Sequence, residues 1–435
     1  MEDIIFPFIV LLAGLFLLLM SGMWVAVGLS LLGFLGLKFV VGGGLEQMLG
    51  VLQLRVIDNF VLCAVPLFIF MGNILLRSGM MDKVYHGISP LLSPLPGGLL
   101  HTNIGACGIF GACSGSSVAA SATMGQVAIP IMKRLGYDKK LLYGSLAAGG
   151  TLSSMIPPSI AFILYGAWVG ESVGALFIAG IIPGIILASF FMAYICLFSL
   201  THPGSTPQPE RFTLQEKIFS LIHILPVVLI VFSVLGTIYI GVATPTEAAA
   251  LGASAALLVC AIYRKLRWIV IKESLFAALG TCTMIFFILM GAMSFSMVIS
   301  MLKIPEALSI WVISLGLGKW MIFVAIVILY MILGAIIDPN SMLLMTLSVT
   351  YPLMMTFGFD SIWFGVCMAV FVEMAAVTPP LGLNLFVIHG ISGEESMTAL
   401  VQGCIPFFVL MLLLLVILYF FPDVALWLPS RVMGD

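Results

Sequence analysis

The sequence predicts an all-α polytopic membrane protein made of two inverted-topology repeats, each with about five spans and one re-entrant hairpin. Three observations carry that prediction. First, 62% of the 435 residues are hydrophobic, 8% are charged and the mean hydropathy is +1.24, more apolar surface than a water-soluble globule can hide. Second, apolar runs of the roughly 20 residues that a spanning helix requires recur from Ile4 to Phe421 with short polar interruptions. Third, the chain echoes itself at a spacing of 222 residues: Pro130, Gly136-Tyr137-Asp138 and Pro157-Pro158 return as Pro352, Gly358-Phe359-Asp360 and Pro379-Pro380.

Taken in order, the first repeat occupies residues 1–200. Spans are predicted near 4–22, 23–42 and 56–77; residues 1–20 lack a basic leading region, so they read as a span rather than a cleaved signal. The stretch 97–133 is too long for one helix and carries Ser114-Gly115-Ser116-Ser117 at its middle. It reads as a hairpin turning there, whose irregular backbone needs cover from protein or water. A helix near 140–169, broken at Pro157-Pro158, and a span near 172–200 follow. The polar segment 201–217 is a cytoplasmic linker. The second repeat, 218–421, has spans near 218–240, 245–263 and 274–302, a linking segment 303–318 and a hairpin 319–357 turning at Pro339 to Ser341. A broken helix 361–391 and a span 399–421 complete it, and 422–435 is a tail.

A hairpin crosses the membrane zero times and five is odd, so the second repeat enters from the opposite side. Basic residues agree. Twelve of the 17 Lys and Arg, among them Arg77, Lys83, Lys133, Lys139, Lys140, Arg211 and Lys217, fall on one side of this topology, which marks the cytoplasm; Lys38, Arg55, Lys303, Lys319 and Arg431 fall on the other. Both termini are then outside, the first hairpin opens from the cytoplasm and the second from outside.

Several function classes drop out. A net charge of -2 with scattered basic residues offers no nucleic-acid surface. The eight cysteines sit in apolar runs without metal-ligand spacing and read as reduced core thiols. His101, His223 and His389 are isolated from one another and read as core histidines. Ala112-Cys113-Ser114-Gly115 approaches the Gly-x-Ser-Gly of an intramembrane protease, but the first Gly is missing and the second repeat has no nucleophile at the matching place. Gly318-Lys319 lacks the remainder of a phosphate loop. A channel or ancillary subunit predicts an open polar path, whereas the polar residues gather at two symmetric points. No enzyme is predicted.

Those two points are the proline pairs. A Pro-Pro inside a span deletes two donors and clashes with the preceding turn, giving either a simple kink or a full break. A break frees carbonyls that a cation can satisfy, and turns a half-helix N-terminus toward an anion. Thr151, Ser153, Ser154 and Ser159 surround the first pair; Thr378, Gly382 and Asn384 surround the second. Such oxygens suit sodium. Asp338 and Glu373 are the acidic residues placed at depth in the second repeat. Asp338 can act functionally, cap the returning helix of its hairpin, or both; Glu373 either pairs with a basic group or lines a crevice.

Gly111-Ala-Cys-Ser-Gly-Ser-Ser-Val-Ala-Ala-Ser-Ala-Thr-Met-Gly125, the run Gly149 to Pro158, the run Gly334 to Ser341 and the run Thr378 to Asn384 together resemble the large membrane subunit of tripartite ATP-independent periplasmic (TRAP) transporters, and the similarity extends over essentially the whole chain. The resemblance implies an elevator-type secondary transporter, related in fold to divalent-anion/sodium symporters, in which a transport domain slides against a scaffold. It implies sodium (Na+) as coupling ion, a periplasmic substrate-binding protein, a separate small four-helix membrane subunit, and location in a bacterial inner membrane. Organic acids such as C4-dicarboxylates, sialic acids and other sugar acids are the implied substrates. By position, one sodium site takes Gly111, Ser114, Gly115 and Ser116 with Ser154, Pro157 and Ser159. Its mirror takes Gly334, Asp338 and Asn340 with Thr378, Pro379 and Gly382. The substrate carboxylate is expected between the tips, at Ser116, Ser117, Asn340 and Ser341, with Thr151 and Asn384 beside it. No Lys or Arg lies in the matched tips, so hydroxyls, amides and helix N-termini would hold the anion.

Overall fold

In a computed structural model the chain is all-helical, with no strand among the residues described, which are 2–41, 47–208, 212–394 and 396–433. Arg211, counted in the charge bias, lies outside them, as do parts of the predicted linker and tail. Helices α1 (Glu2–Met20), α2 (Val25–Leu35, continued by a π-helical turn Gly36–Val40), α3 (Gln47–Ile57) and α4 (Ala64–Arg77) open the chain. The predicted span 56–77 starts late because the Asn59 side chain accepts from the Val61 N–H at 3.0 Å and caps a 3₁₀ turn, Phe60–Cys63, that separates α3 from α4.

Next come α5 (Met80–Leu92), the hairpin arms α6 (Leu99–Ser114) and α7 (Ser117–Arg134), the broken pair α8 (Lys139–Met155) and α9 (Ile160–Val169), and α10 (Val173–Thr201). The later set is α11 (Leu214–Tyr239), α12 (Pro245–Ile262), α13 (Trp268–Met301), α14 (Ile304–Ser314), hairpin arms α15 (Lys319–Gly334) and α16 (Pro339–Thr356), the broken pair α17 (Ser361–Val377) and α18 (Leu383–Ser392), α19 (Thr398–Phe420) and α20 (Asp423–Met433). Boundaries recur at the 222-residue offset: 117–134 falls on 339–356 and 139–155 on 361–377. Among the described residues seven helical stretches are long and apolar enough to cross a membrane, the joined α8 and α9 counting as one.

Helices α5, α14 and α20 fall where the sequence reading placed unassigned or irregular segments. In α5 the apolar residues recur at helical spacing instead of in a run, so that Met80, Met81, Val84, Tyr85 and Ile88 are buried while Asp82 and His86 are exposed. Such a face is amphipathic and gives no span signal.

The repeated Gly-aromatic-Asp motif has a local cause. Gly136 (φ +77°) and Gly358 (φ +69°) adopt the left-handed conformation just past α7 and α16, which glycine enters without a Cβ penalty. The following aromatic residues bond back, Tyr137 N–H to Met132 O at 3.1 Å and Phe359 N–H to Met354 O at 3.2 Å. Asp138 then caps α8 through the Leu141 N–H (3.0 Å), and Asp360 caps α17 through the Trp363 N–H (2.9 Å). One motif stops a hairpin arm and starts a broken helix.

Packing gathers most helices into two groups, α2, α4, α5, α11, α12 and α13 in one and α6 to α10 with α15 to α19 in the other, which meet where α4 and α5 pack on α6 and α13 packs on α16. At the centre of the second group, α8 is buried from Leu141 to Met155 and α17 from Trp363 to Val377.

Candidate functional site: two hairpin tips on two broken helices

The first tip sits on the first break. Gly115 closes α6 at φ +60°, and a Cβ there would stand 3.0 Å from the Pro158 carbonyl oxygen and 3.1 Å from the Ile160 nitrogen. A Cβ on Gly111 would run into the Ser153 backbone. Ser116 caps α7 by accepting from the Ala119 N–H (3.4 Å), Ser114 Oγ accepts from the Ser116 N–H (3.3 Å), and Ser159 caps α9 by accepting from the Phe162 N–H (3.5 Å). The N-terminal ends of α7 and α9 thus start at one junction, where their partial positive charges add. Pro157, Pro158, Ser154 and Ser159 are buried. The Ser153 hydroxyl is buried without a hydrogen-bond partner, whereas Thr151 Oγ1 donates to Ala148 O at 2.5 Å.

The second tip is built differently at its turn. Pro339 is the first residue of α16, so the turn occupies 335–338 and the predicted turn at Pro339 to Ser341 is already helix. Proline's fixed φ and missing N–H suit that first position. Asp338 caps the helix by accepting from the Ser341 N–H at 3.0 Å. Asn340 is half-buried and Ser341 fully buried, its hydroxyl without a partner. A Cβ on Gly334 would meet Ala375 of α17 at 2.7 Å. At the break, Thr378 Oγ1 donates to Met374 O (2.6 Å) and Gly382 N–H to Thr378 O (2.8 Å). Pro379, Pro380 and Leu381 are exposed, unlike their buried counterparts in the first break.

Near the breaks, each hairpin also reaches into the other half, beside the larger packing of α8 on α17 and α19. Arm α7 packs against α18, and arm α16 packs against α9. Asn384, fully buried on α18, donates to Ser117 Oγ (2.7 Å) and Ala147 O (3.1 Å). Glu373 on α17 is 1% exposed, faces Ser154 and Ser117, and forms no ion pair among the described residues. Ser117 is therefore held by Asn384. Ser341 and Asp338 instead line a cavity of about 670 Å³ whose other walls include Trp24, Val25, Thr283, Met284 and Phe287. Nothing in the sequence marks those wall residues, because they come from apolar runs some 250 positions apart.

A polar clasp closes the outer end of the first hairpin. Glu394 accepts from Lys133 (2.9 Å), Lys139 (3.0 Å) and the Tyr143 hydroxyl (2.7 Å), and Lys133 also donates to Ser392 O (2.7 Å). These bonds, that from Lys133 foremost, push the Glu394 carboxyl down to about 2. At the offset positions the chain has Met355, Ser361 and Gly365, so the second half lacks this clasp.

The profile of the DctM component of tripartite ATP-independent periplasmic transporters matches residues 12–424. The chain belongs to this DctM family. Among curated relatives, it is 33% identical over 374 residues to the C4-dicarboxylate TRAP transporter large permease protein DctM of Pseudomonas aeruginosa, covering 86% of this chain and 87% of the relative. It is 30% identical over 430 residues to the sialic acid TRAP transporter large permease protein SiaM of Vibrio cholerae, covering 96% and 97%. With the isethionate TRAP transporter permease protein DctMQ of Oleidesulfovibrio alaskensis the identity is 31%, covering 98% of this chain and 67% of the relative. Two solved structures share the fold at low identity: the Alcanivorax borkumensis YdaH transporter (TM-score 0.58, 11% identity, 90% of each chain) and Neisseria gonorrhoeae MtrF (TM-score 0.56, 13% identity, 97% of this chain and 95% of that one). The DctM-family chain is a TRAP large permease and not an enzyme. It is a multi-pass inner-membrane protein.

Proposed function

We propose that the chain is the sodium-coupled import subunit for an organic acid and works by an elevator motion. One observation carries this reading. In the first half a helix break rich in carbonyl and hydroxyl oxygen lies against a hairpin tip, in the second Gly334 just before the tip packs on Ala375 just before the break, and among the described residues no Lys or Arg hydrogen-bonds to either junction. Hard, neutral oxygen donors fit a monovalent cation. Gly111, Ser114, Gly115 and Ser116 with Ser154, Pro157 and Ser159 would hold one sodium ion; Gly334, Asp338 and Asn340 with Thr378, Pro379 and Gly382 would hold another. Cation binding at the junctions orders the tips and adds positive charge beside the N-termini of α7 and α16. An organic carboxylate then binds to Ser116, Ser117, Asn340 and Ser341, near Thr151 and Asn384.

The names of the relatives support a carboxylate or sulfonate cargo of the C4-dicarboxylate, sialic acid or isethionate kind. The tripartite family description and the DctMQ name support a small permease partner and a soluble binding protein that delivers substrate. The two packing groups supply the pieces for an elevator: the group holding both hairpins and both breaks moves, and the α2–α13 group stands still. The cavity at Asp338 and Ser341, walled by α13, lies on the boundary between them. Burial of the first break beside exposure of the second fits a pair of inverted halves caught in one of two alternating arrangements.

Proteoliposomes containing the complete transporter and its binding protein test the coupling. Uptake is expected to follow an imposed sodium gradient; uptake that ignores sodium and follows a proton gradient overturns it. Thr378→Val is expected to raise the sodium half-saturation about 3- to 10-fold, the loss of an oxygen ligand worth roughly 1 kcal/mol, while the melting temperature changes little. An unchanged half-saturation removes Thr378 from the ligand set.

A further inference from the structure

Glu373 is the only charged residue buried below a tenth of its surface among the described residues, at 1% exposure. Neither of its carboxylate oxygens meets full hydrogen-bond geometry with any group, the nearest donors being the Ser154 and Ser117 hydroxyls. A buried carboxylate without a charged partner is strongly unfavourable, and no basic side chain compensates this one among the described residues. What faces it is oxygen: the Ser117 and Ser154 hydroxyls. Beside them lies Asn384, whose Oδ1 is also buried and unpartnered. The orientation of that amide is fixed by its neighbours, since Ala147 O (3.1 Å) can only accept and therefore takes the Nδ2 side, which also donates to Ser117 Oγ (2.7 Å). Two elements of the second half thus meet hydroxyls of the first: Glu373 on α17 faces Ser117 on α7 and Ser154 on α8, while the Asn384 amide on α18 donates to Ser117 and leaves its Oδ1 free to accept.

We propose that Glu373, Asn384, Ser117 and Ser154 form a further sodium site beside the first tip-and-break junction, sharing Ser154 with it and bordering the carboxylate position at Ser117 and Asn384, in which Glu373 supplies the negative charge. The site rests on the sodium coupling proposed above and deepens it. Position 151, the 222-residue counterpart of Glu373, is Thr, so this site has no mirror image. Its ligands come from both halves, and the ion bound there ties α17 to the first hairpin and its broken helix. The charge of the ion offsets that of Glu373, so the core between the halves becomes neutral when it binds.

The test is equilibrium binding of radioactive sodium to the purified full chain, together with melting curves in sodium and in choline. Glu373→Gln keeps the shape and removes the charge. The variant is expected to bind one ion fewer per chain than the unaltered protein, to melt higher in choline, and to gain less from sodium. An unchanged ion count overturns the proposal, including the case in which melting of the unaltered protein responds at Glu373 to pH alone, which makes the occupant a proton. If the unaltered protein binds no sodium at all, it is the coupling reading that fails. Should Glu373→Gln not fold, Glu373→Asp keeps the charge but withdraws it by one methylene; its half-saturation for sodium is expected to rise several-fold, and no change overturns the site.

Discussion

Gly115 shows how a single residue sets the first tip. Its left-handed φ of +60° ends α6, and its bare Cα lets Pro158 O and the Ile160 nitrogen approach the turn. A side chain here carries both a conformational and a steric penalty. Gly115→Ala is expected to lower stability by about 1–2 kcal/mol, read as a fall in melting temperature. Gly236→Ala, inside α11 with nothing within 4 Å of the added Cβ, should leave it unchanged or raise it. Asp338 combines two readings in one residue: its carboxylate caps α16 and the same residue lines the cavity at the second tip. A helix cap that also borders a binding space need not be neutralised by a basic partner, because the helix N-terminus already favours its charge.

At the scale of elements, the two halves share their boundaries but not their outer fastenings. Arms α7 and α16 have matching ends, yet only α7 carries Lys133, which joins Lys139 and Tyr143 in holding Glu394 beyond α18. The depressed Glu394 carboxyl gives this clasp a pH signature. A carboxyl whose folded pKa lies below its ordinary value contributes stability above that ordinary value, near 4.5, and loses it as pH falls toward about 2. Glu394→Gln should therefore melt below the unaltered protein at pH 6, and the gap should narrow as pH falls below about 4.5. A gap independent of pH assigns the clasp to packing alone. Because Lys139 is more than half exposed, the difference should also shrink in high salt.

At the scale of the whole molecule, the three ion pairs among the described residues fall on one side of the expected topology. The ion pairs Arg77 with Glu273 and Lys133 and Lys139 with Glu394, and the Lys83 ammonium 4.1 Å from the Tyr263 ring centroid, all involve basic residues assigned to the cytoplasmic side. Lys319, assigned to the opposite side, instead lies beside Gly358 O and the Phe359 ring. In a chain freed of its eight native cysteines, Lys140→Cys in sealed, right-side-out vesicles should resist a membrane-impermeant maleimide until the vesicles are opened. Lys319→Cys should react at once. Equal labelling of both positions overturns the orientation.

The sequence by itself determined the helical membrane class, the two hairpins, the two proline breaks and the family, because each is written in local chemistry: apolar run length, Pro-Pro, Gly-aromatic-Asp, and small polar tips. Amphipathic α5 escaped that reading, since a half-buried helix carries its apolar residues on a stripe. The turn of the second hairpin was displaced because proline starts a helix as readily as it ends one. Tertiary structure alone decided that α7 meets α18 and α16 meets α9, that Asn384 holds Ser117, that Glu394 gathers three donors, and that Glu373 faces hydroxyls. Those pairs are separated by up to 267 residues. Which of many buried oxygens meet is set by how close-packed helices interlock, and no local pattern encodes that.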